Sequence, residues 1–352
     1  MRFDFVIGNP PFQEESENTS SQNGQAPRKS IFQYLQMAAD DIAEKGSVLV
    51  YPGGRWIQRS GKGMKKFGYE QINDKHLKDV YFYPDASDLF PSIALADGMS
   101  IVVKDRKKTT QEFNYVYCQN GNKERFKISS PGEEILPLKP TDFLLAKKFQ
   151  KFIEDNHLRP LQERVLPRTL FGVESNFVEE HPELVEEYHG QDFNIDQKIL
   201  LLTNDKAGKA GRAKWYIVEP SVIPSNRDLI AKYKVIVSSA NAGGQKRDRQ
   251  LELLDGHAAF GRSRVALGLF DTKAEAENFL HYVSSIIIQF AFLLTDESLT
   301  TLGMRVPDFK SYLSNETSID FDSDIDKQLQ EAIGFTDEEV SYMKDTVENL
   351  RK

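Results

Sequence analysis

One cysteine, Cys118, stands in 352 residues, so there is no disulfide framework, and the expectation is a cytoplasmic protein. The six histidines (His76, His157, His181, His189, His257 and His281) show no close ligand spacing, and no metal site is expected. No apolar run reaches the length of a membrane span. The richest, SSIIIQFAFLL (284–294), is too short and is interrupted by Gln289, so no membrane partner is expected. No cationic-then-apolar leader pattern precedes the first apolar run. Net positive charge is lacking as well. The balance of 45 Lys and Arg against 53 Asp and Glu gives −8, which argues against non-specific nucleic-acid binding and leaves that role to local basic loops.

What is present is an ordinary globular balance, 39% hydrophobic and 28% charged, in a chain long enough for two domains. The run FDFVIG is a short apolar strand halted by Asn9-Pro10-Pro11. Residues 13–29 are polar and read as a loop. Ser30 is placed to cap a helix through IFQYLQMAADDIAEK, with Gly46 as its stop and SVLVY as the next buried strand. Two strands joined by one helix make a βαβ unit and a parallel sheet. HLKDVYFY, MSIVVKD and FNYVYC continue the strands, the last with RFKIS as a ribbon. Composition shifts near PGEEILPLKP, which sets the expected boundaries: 1–135, 136–313, and a helical tail over 314–352. In the middle region short strands (KILLLT, AKWYIV, YKVIVSS, SRVALGLF) alternate with Gly-, Asn- and Lys-rich loops, and DTKAEAENFLHYVSSIIIQFAFLL reads as one long helix.

The Asn-Pro-Pro-Phe turn has a specific chemical use. The exocyclic amine of adenine is a poor nucleophile because its lone pair is delocalised into the ring. Two acceptors at fixed positions can hold both amine hydrogens and draw that pair back to nitrogen. The Asn9 side-chain oxygen and the Pro10 carbonyl suit this, because Pro10 has a locked φ and the following Pro11 confines it to an extended backbone. Phe12 can stack on the base, which must be flipped out of the duplex for its amine to be reached. Such a loop belongs at the carboxyl end of a parallel strand.

FDFVIGNPPF resembles the catalytic motif of the amino-group-methylating, adenine-specific DNA methyltransferases, most closely those of type II restriction–modification systems. SIFQYLQMAADDIAEKGSVLVYPGGRWI is similar to the helix, strand and Pro- and Trp-containing loop (here Pro52-Gly53-Gly54-Arg55-Trp56) that follow it in that family. DASDLFPSIALADGMSIVV is similar to a later segment with an aromatic residue and a glycine before a strand. RTLFGVESNF and DSDIDKQLQEAIGFTDEEVSYMKD resemble parts of the target-recognition half and the C-terminal end. The resemblance implies an α/β fold, the C-terminal half of a Rossmann-like methyltransferase sheet followed by an α+β target-recognition domain. It makes Asn9 and Pro10 the amine acceptors with Pro11 and Phe12 completing the catalytic loop. It makes Phe90 a second contact on the flipped base and Phe32 a lining residue of the cofactor's adenine pocket. The implied cofactor is S-adenosyl-L-methionine, and the implied partner is double-stranded DNA.

The family builds its cofactor pocket mainly from strands before the Asn-Pro-Pro strand, and here only Met1 and Arg2 precede Phe3. Neither GKAGR (208–212) nor AFGRSR (259–264) lies between a strand and a helix as a cofactor turn would. Three expectations stand: a separate N-terminal methyltransferase subunit, a truncated product, or a DNA-specificity module without catalysis. In the second domain, NDKAGKAGRAK and SSANAGGQKRDRQ are the expected DNA-contacting loops, with Lys209, Arg212, Lys246, Arg247 and Arg249 as the candidate residues. Arginine grips guanine bidentately, and lysine positions through phosphates.

Overall fold

A computed structural model of the chain describes residues 2–15, 28–59, 63–93, 95, 97–129, 131, 132, 136, 138–208, 210–245, 247–295 and 298–349. The chain forms two compact units, Met1–Leu144 and Leu145–Lys352.

The first unit is built on a six-stranded sheet. In chain order its elements are β1 (Phe3–Gly8), β2 (Gln13–Glu15), β3 (Arg28–Ser30), α1 (Phe32–Ile42), β4 (Ala43–Pro52), α2 (Met64–Ile72), β5 (Leu77–Tyr83), β6 (Met99–Asp105), β7 (Glu112–Gln119) and β8 (Asn122–Ser129). The sheet runs β1-β4-β6-β5-β7-β8, and β2 pairs only with β3. β1 and β4 are parallel and joined through α1, as the βαβ pattern implies. β6 enters between β4 and β5 and runs antiparallel to both, so the sheet is mixed rather than wholly parallel. β1, β4, β5 and β7 run in one direction, and their carboxyl ends lie along one end of the sheet.

Two local expectations are corrected. α1 ends at Ile42, and Gly46 lies inside β4. The glycine is needed there because a Cβ would sit 2.3 Å from the Lys104 carbonyl oxygen on β6. The position before α1 is Ile31, one residue beyond Ser30. Ser30 instead gives its hydroxyl to Gln33 Oε1 (3.0 Å), and Gln33 Nε2 returns a bond to the Ser30 carbonyl (2.9 Å).

Alternation along the strands sends Leu49 and Tyr51 of β4, Val102 of β6, and Val80 and Phe82 of β5 to one face. That face is packed with Phe32 of α1 and Met64 and Phe67 of α2 into one core. Tyr51 lies 5.0 Å from Phe32 and 5.4 Å from Trp56, centroid to centroid, in tilted and edge-on contacts. The Lys104 side chain is enclosed on this face and answered by two carboxylates, Asp40 at 2.8 Å and Asp74 at 2.7 Å. Gln36 donates to Asp40 (2.7 Å) and accepts from the Tyr51 hydroxyl. Burial pushes the Asp74 carboxyl upward, but the Lys104 charge, its hydrogen bond and the His76 amide outweigh it, and the net shift is downward.

In the second unit, strand Ile199–Asn204 pairs with Ala213–Val218 and Ala258–Phe260, and a second sheet joins Glu252–Leu254, Tyr233–Ser238 and Arg264–Phe270. The expected single long helix is two, Lys273–Ser284 and Ile286–Leu293, broken at Ser285, whose ψ of 151° is extended. The break is held from a distance: Asp326 accepts the amides of Ile286 (3.0 Å) and Ile287 (2.8 Å) at the start of the second helix. Residues 314–352, expected as a separate tail, send Phe321, Phe335, Met343 and Val347 into the same core as Phe279, Tyr282 and Phe290. Among the described residues no helix is long and apolar enough to cross a membrane.

Candidate functional site: the Asn-Pro-Pro-Phe loop

β1 delivers the loop. Its register against β4 (Ile7 with Val48, Gly8 with Leu49) ends the pairing at Gly8, and Asn9 leaves the carboxyl end of the strand. The chain has no choice but to leave there. Pro10 and Pro11 carry no N–H to donate, so the parallel ladder cannot continue through them. Asn9 and Pro11 are exposed, and Pro10 and Phe12 are half-buried. Beyond Phe12 the backbone forms the β2–β3 ribbon, in which Gln13 pairs with Ser30. The Ile31 amide then donates to the Phe12 carbonyl (3.0 Å). The four-residue loop is thus fixed at both ends, by β4 before it and by the start of α1 after it. The ribbon falls within the stretch read as a loop, and its three-residue strands are too short for periodicity to reveal.

Two further loops leave the same end of the sheet. After β4, Gly53 and Gly54 donate to the carbonyls of Gly98 (2.7 Å) and Asp97 (3.0 Å), and Arg55 pairs with Asp97 at 2.9 Å. Gly98 has φ of +70°, and a Cβ there would meet the Tyr83 carbonyl oxygen at 2.2 Å, so the return into β6 requires glycine. After β5, Asp85 accepts from the Ser87 amide (2.8 Å) and hydroxyl (2.7 Å), and these bonds hold its carboxyl below the usual range. The Phe90 amide closes on the Ala86 carbonyl (2.9 Å), leaving a half-buried ring. Asn9 and Phe90 therefore sit on loops that leave one end of one sheet.

The other expected residues divide. Phe32 is 3% exposed and enclosed by Tyr51 and Phe67, so it presents no open face to a cofactor. It packs in the first unit's core. Trp56, at the end of the Pro52-Gly53-Gly54-Arg55-Trp56 loop, is also interior, and its Nε1 donates to Ser100 Oγ (2.9 Å). Arg212 is exposed on the turn between strands 199–204 and 213–218, where Asp205 accepts its amide (2.8 Å). Arg247 is exposed on the loop after Ser238. Arg249, on the same loop, is 4% exposed: its guanidinium lies 4.5 Å from the Phe292 ring centre and donates to the Val283 carbonyl. It shapes the loop from inside instead of reaching outward. Lys209 and Lys246 lie outside the described residues.

Residues 1–90 match the family described as Eco57I restriction-modification methylase. A Mycoplasma pneumoniae protein described as an uncharacterized adenine-specific methylase is 28% identical over 99 residues, which are 28% of this chain and 22% of that one. Among solved structures, the type IIG restriction endonuclease BpuSI aligns with 99% of this chain and 53% of its own at 11% identity, with a TM-score of 0.36. The type IIL restriction-modification enzyme MmeI, in complex with DNA, aligns with 98% of this chain and 57% of its own at 9% identity, with a TM-score of 0.41. The aligned stretch spans about a fifth of the curated relative, and the chain spans just over half of each of these two structures. Over its first quarter the chain is similar in sequence to restriction-modification methylases.

Proposed function

We propose that this chain carries the catalytic loop and the target-reading part of an adenine-specific DNA methyltransferase of a type II restriction–modification system. One observation carries the reading: an exposed asparagine leaves the carboxyl end of a parallel strand, followed by two prolines and a half-buried aromatic ring. Asn9 Oδ1 and the Pro10 carbonyl accept the two amine hydrogens of a flipped adenine, and the nitrogen lone pair then points at an electrophile. Phe12 stacks on the base, and Phe90 approaches from the loop after β5. The bond between the Phe12 carbonyl and the Ile31 amide keeps the acceptors preorganised, so that little reorganisation is needed during reaction. Exposed Arg212 and Arg247 contact the duplex from the second unit.

S-adenosyl-L-methionine supplies the methyl group. Phe32, the one residue of this chain expected to hold it, is buried, so the named residues do not compose its pocket. Residues other than those named here supply that pocket, and a separate methyltransferase subunit is one source of them. The same burial favours a second reading, a DNA-specificity module that performs no transfer alone.

The test is methyl transfer to duplex DNA by the completed assembly, with DNA and cofactor affinities measured in parallel. Asn9→Ala lowers transfer by about 10²–10³-fold, and duplex affinity stays within a few-fold. Full transfer by Asn9→Ala would refute the catalytic reading. Salt-sensitive DNA binding without cofactor binding in any assembly would establish the specificity-module reading.

A further inference from the structure

In the second unit, the segment Gly261–Ser263 carries the chain from Phe260 in one sheet to Arg264 in the other. It is fixed residue by residue. The Gly261 amide donates to the Leu202 carbonyl (2.8 Å) and the Arg262 amide to the Val173 carbonyl (3.0 Å). The Ser239 amide donates to the Ser263 carbonyl (2.9 Å), and the Arg264 amide closes the turn on the Gly261 carbonyl (3.0 Å). The Ser239 hydroxyl donates to the Arg262 carbonyl (3.2 Å). Glycine is required at 261, because a Cβ there would lie 2.2 Å from Thr203 Oγ1. The segment is thus tied to the ends of two strands, Ile199–Asn204 and Tyr233–Ser238. The turn after the first carries exposed Arg212, and the loop after the second carries exposed Arg247.

The two arginines here are set in opposite ways. Arg264 is 6% exposed and lies 3.7 Å from Glu252. The Arg262 side chain is 35% exposed, and its Nη1 donates to both carboxylate oxygens of Glu174 (2.7 and 2.6 Å). Glu174 directly follows Val173, so one short stretch grips both the backbone and the head group of Arg262. An exposed ion pair adds little stability. Its effect here is directional. With Nη1 taken, the guanidinium keeps an edge with two parallel N–H donors, Nε and Nη2, which no acceptor among the described residues engages. That edge matches the paired acceptors O6 and N7 of guanine. It suits a phosphate less, because Glu174 already answers the positive charge and would face a second anion.

We propose that Arg262 reads a guanine of the target sequence from the major groove, with Glu174 as the residue that holds its head group in position. The proposal rests on the reading of this chain as the target-reading part of a DNA methyltransferase. It deepens that reading by naming a base and the residue that selects it, outside the two loops singled out in the sequence.

The test is selection from random-sequence duplexes, followed by sequencing, by the full chain and by the assembly used for methyl transfer. The unaltered protein enriches a motif that contains a G·C pair. Arg262→Ala loses the preference at one such position and keeps the rest of the motif. It binds the original motif about ten- to a hundredfold more weakly, with unchanged circular dichroism. Arg262→Gln, which keeps a polar side chain if the alanine variant does not fold, moves the preference at that position away from guanine. Glu174→Ala blurs the same position and leaves affinity for unrelated duplexes undiminished. A uniform loss over all sequences in Arg262→Ala, with the salt dependence reduced by about one phosphate contact, would overturn the proposal. A motif unchanged in Arg262→Ala would also overturn it, leaving a surface ion pair. Either result leaves target reading by the chain standing. Failure of the unaltered protein to enrich any motif would refute target reading itself, and this assignment with it.

Discussion

Two strands, one in each unit, are close counterparts in sequence and opposites in setting. β1 reads FDFVIG, and the strand Tyr233–Ser238 reads YKVIVS: each is a continuous apolar run with one charge at its second position. Val235 and Val237 of the second strand enter one core and Ile236 enters another, so both of its faces are covered. In β1, Val6 alone reaches a core, and Phe3, Phe5 and Ile7 stay exposed. The charges follow the same division. Lys234 is fully enclosed and donates to three backbone carbonyls, those of Ile230 (2.8 Å), Asp255 (3.1 Å) and Lys232. Asp4 remains at the surface with Lys45. An apolar run specifies two-sided burial, and the described residues supply the second side in one of the two cases.

The largest effect expected within that comparison is at the covered strand. Ile236→Ala opens a cavity in a site with no exposed surface and lowers unfolding free energy by about 2–5 kcal/mol, measured by urea denaturation. A loss below about 1 kcal/mol would mean that the second unit's cores are loosely packed. Next is the first unit's enclosed lysine, which has carboxylate partners where Lys234 has carbonyls. Lys104→Met leaves Asp40 and Asp74 facing each other without a cation and costs about 3 kcal/mol, the low end for a broken buried pair, because both carboxylates are partly exposed. Asp74 is held below its ordinary value, so its contribution is complete above the unfolded carboxylate range and fades as pH falls through the lower folded value. Lys104→Met flattens that acid limb.

Lys234→Met is smaller, about 1–3 kcal/mol from carbonyls left unsatisfied. Its pH dependence has the opposite placement. Burial pushes the Lys234 ammonium down to about 7 from 10.5, so between those values the unfolded chain binds more protons and stability rises with pH. The variant lacks that rise, which parallel denaturation at pH 7 and pH 10 detects. The smallest effect is at the open strand. Phe5→Lys changes the stability of the isolated chain by no more than about 0.5 kcal/mol, although the same change in a covered strand would be severe. A large loss would show that Phe5 already has a partner within the chain.

Local grammar made the first βαβ unit legible: apolar runs of strand length, one helix-period stretch, and prolines where the ladder has to stop. The candidate loop was legible for the same reason, because its chemistry sits in four consecutive residues. Non-local relations were not. Nothing in MSIVVKD announces that it enters between β4 and β5 against their direction. Arg249 reads as one more basic loop residue, and only the approach of Phe292, 43 positions away in sequence, makes it interior. The core face that took Phe32 is likewise assembled from α2 and β5, elements far along the chain.

The cap that Asp326 provides has a consequence for synthesis. The helix Ile286–Leu293 leaves the ribosome about forty residues before the carboxylate that accepts its first two amides. Phe335, Met343 and Val347, which belong to the same core, follow later still. During translation, at about 5–20 residues per second, an apolar helix therefore waits for seconds without its cap and without part of its packing. Residues up to Leu144 have all been synthesised well before that interval begins, so the nascent chain passes through a stage in which the candidate loop has been made and the second unit's core is still without its last helices.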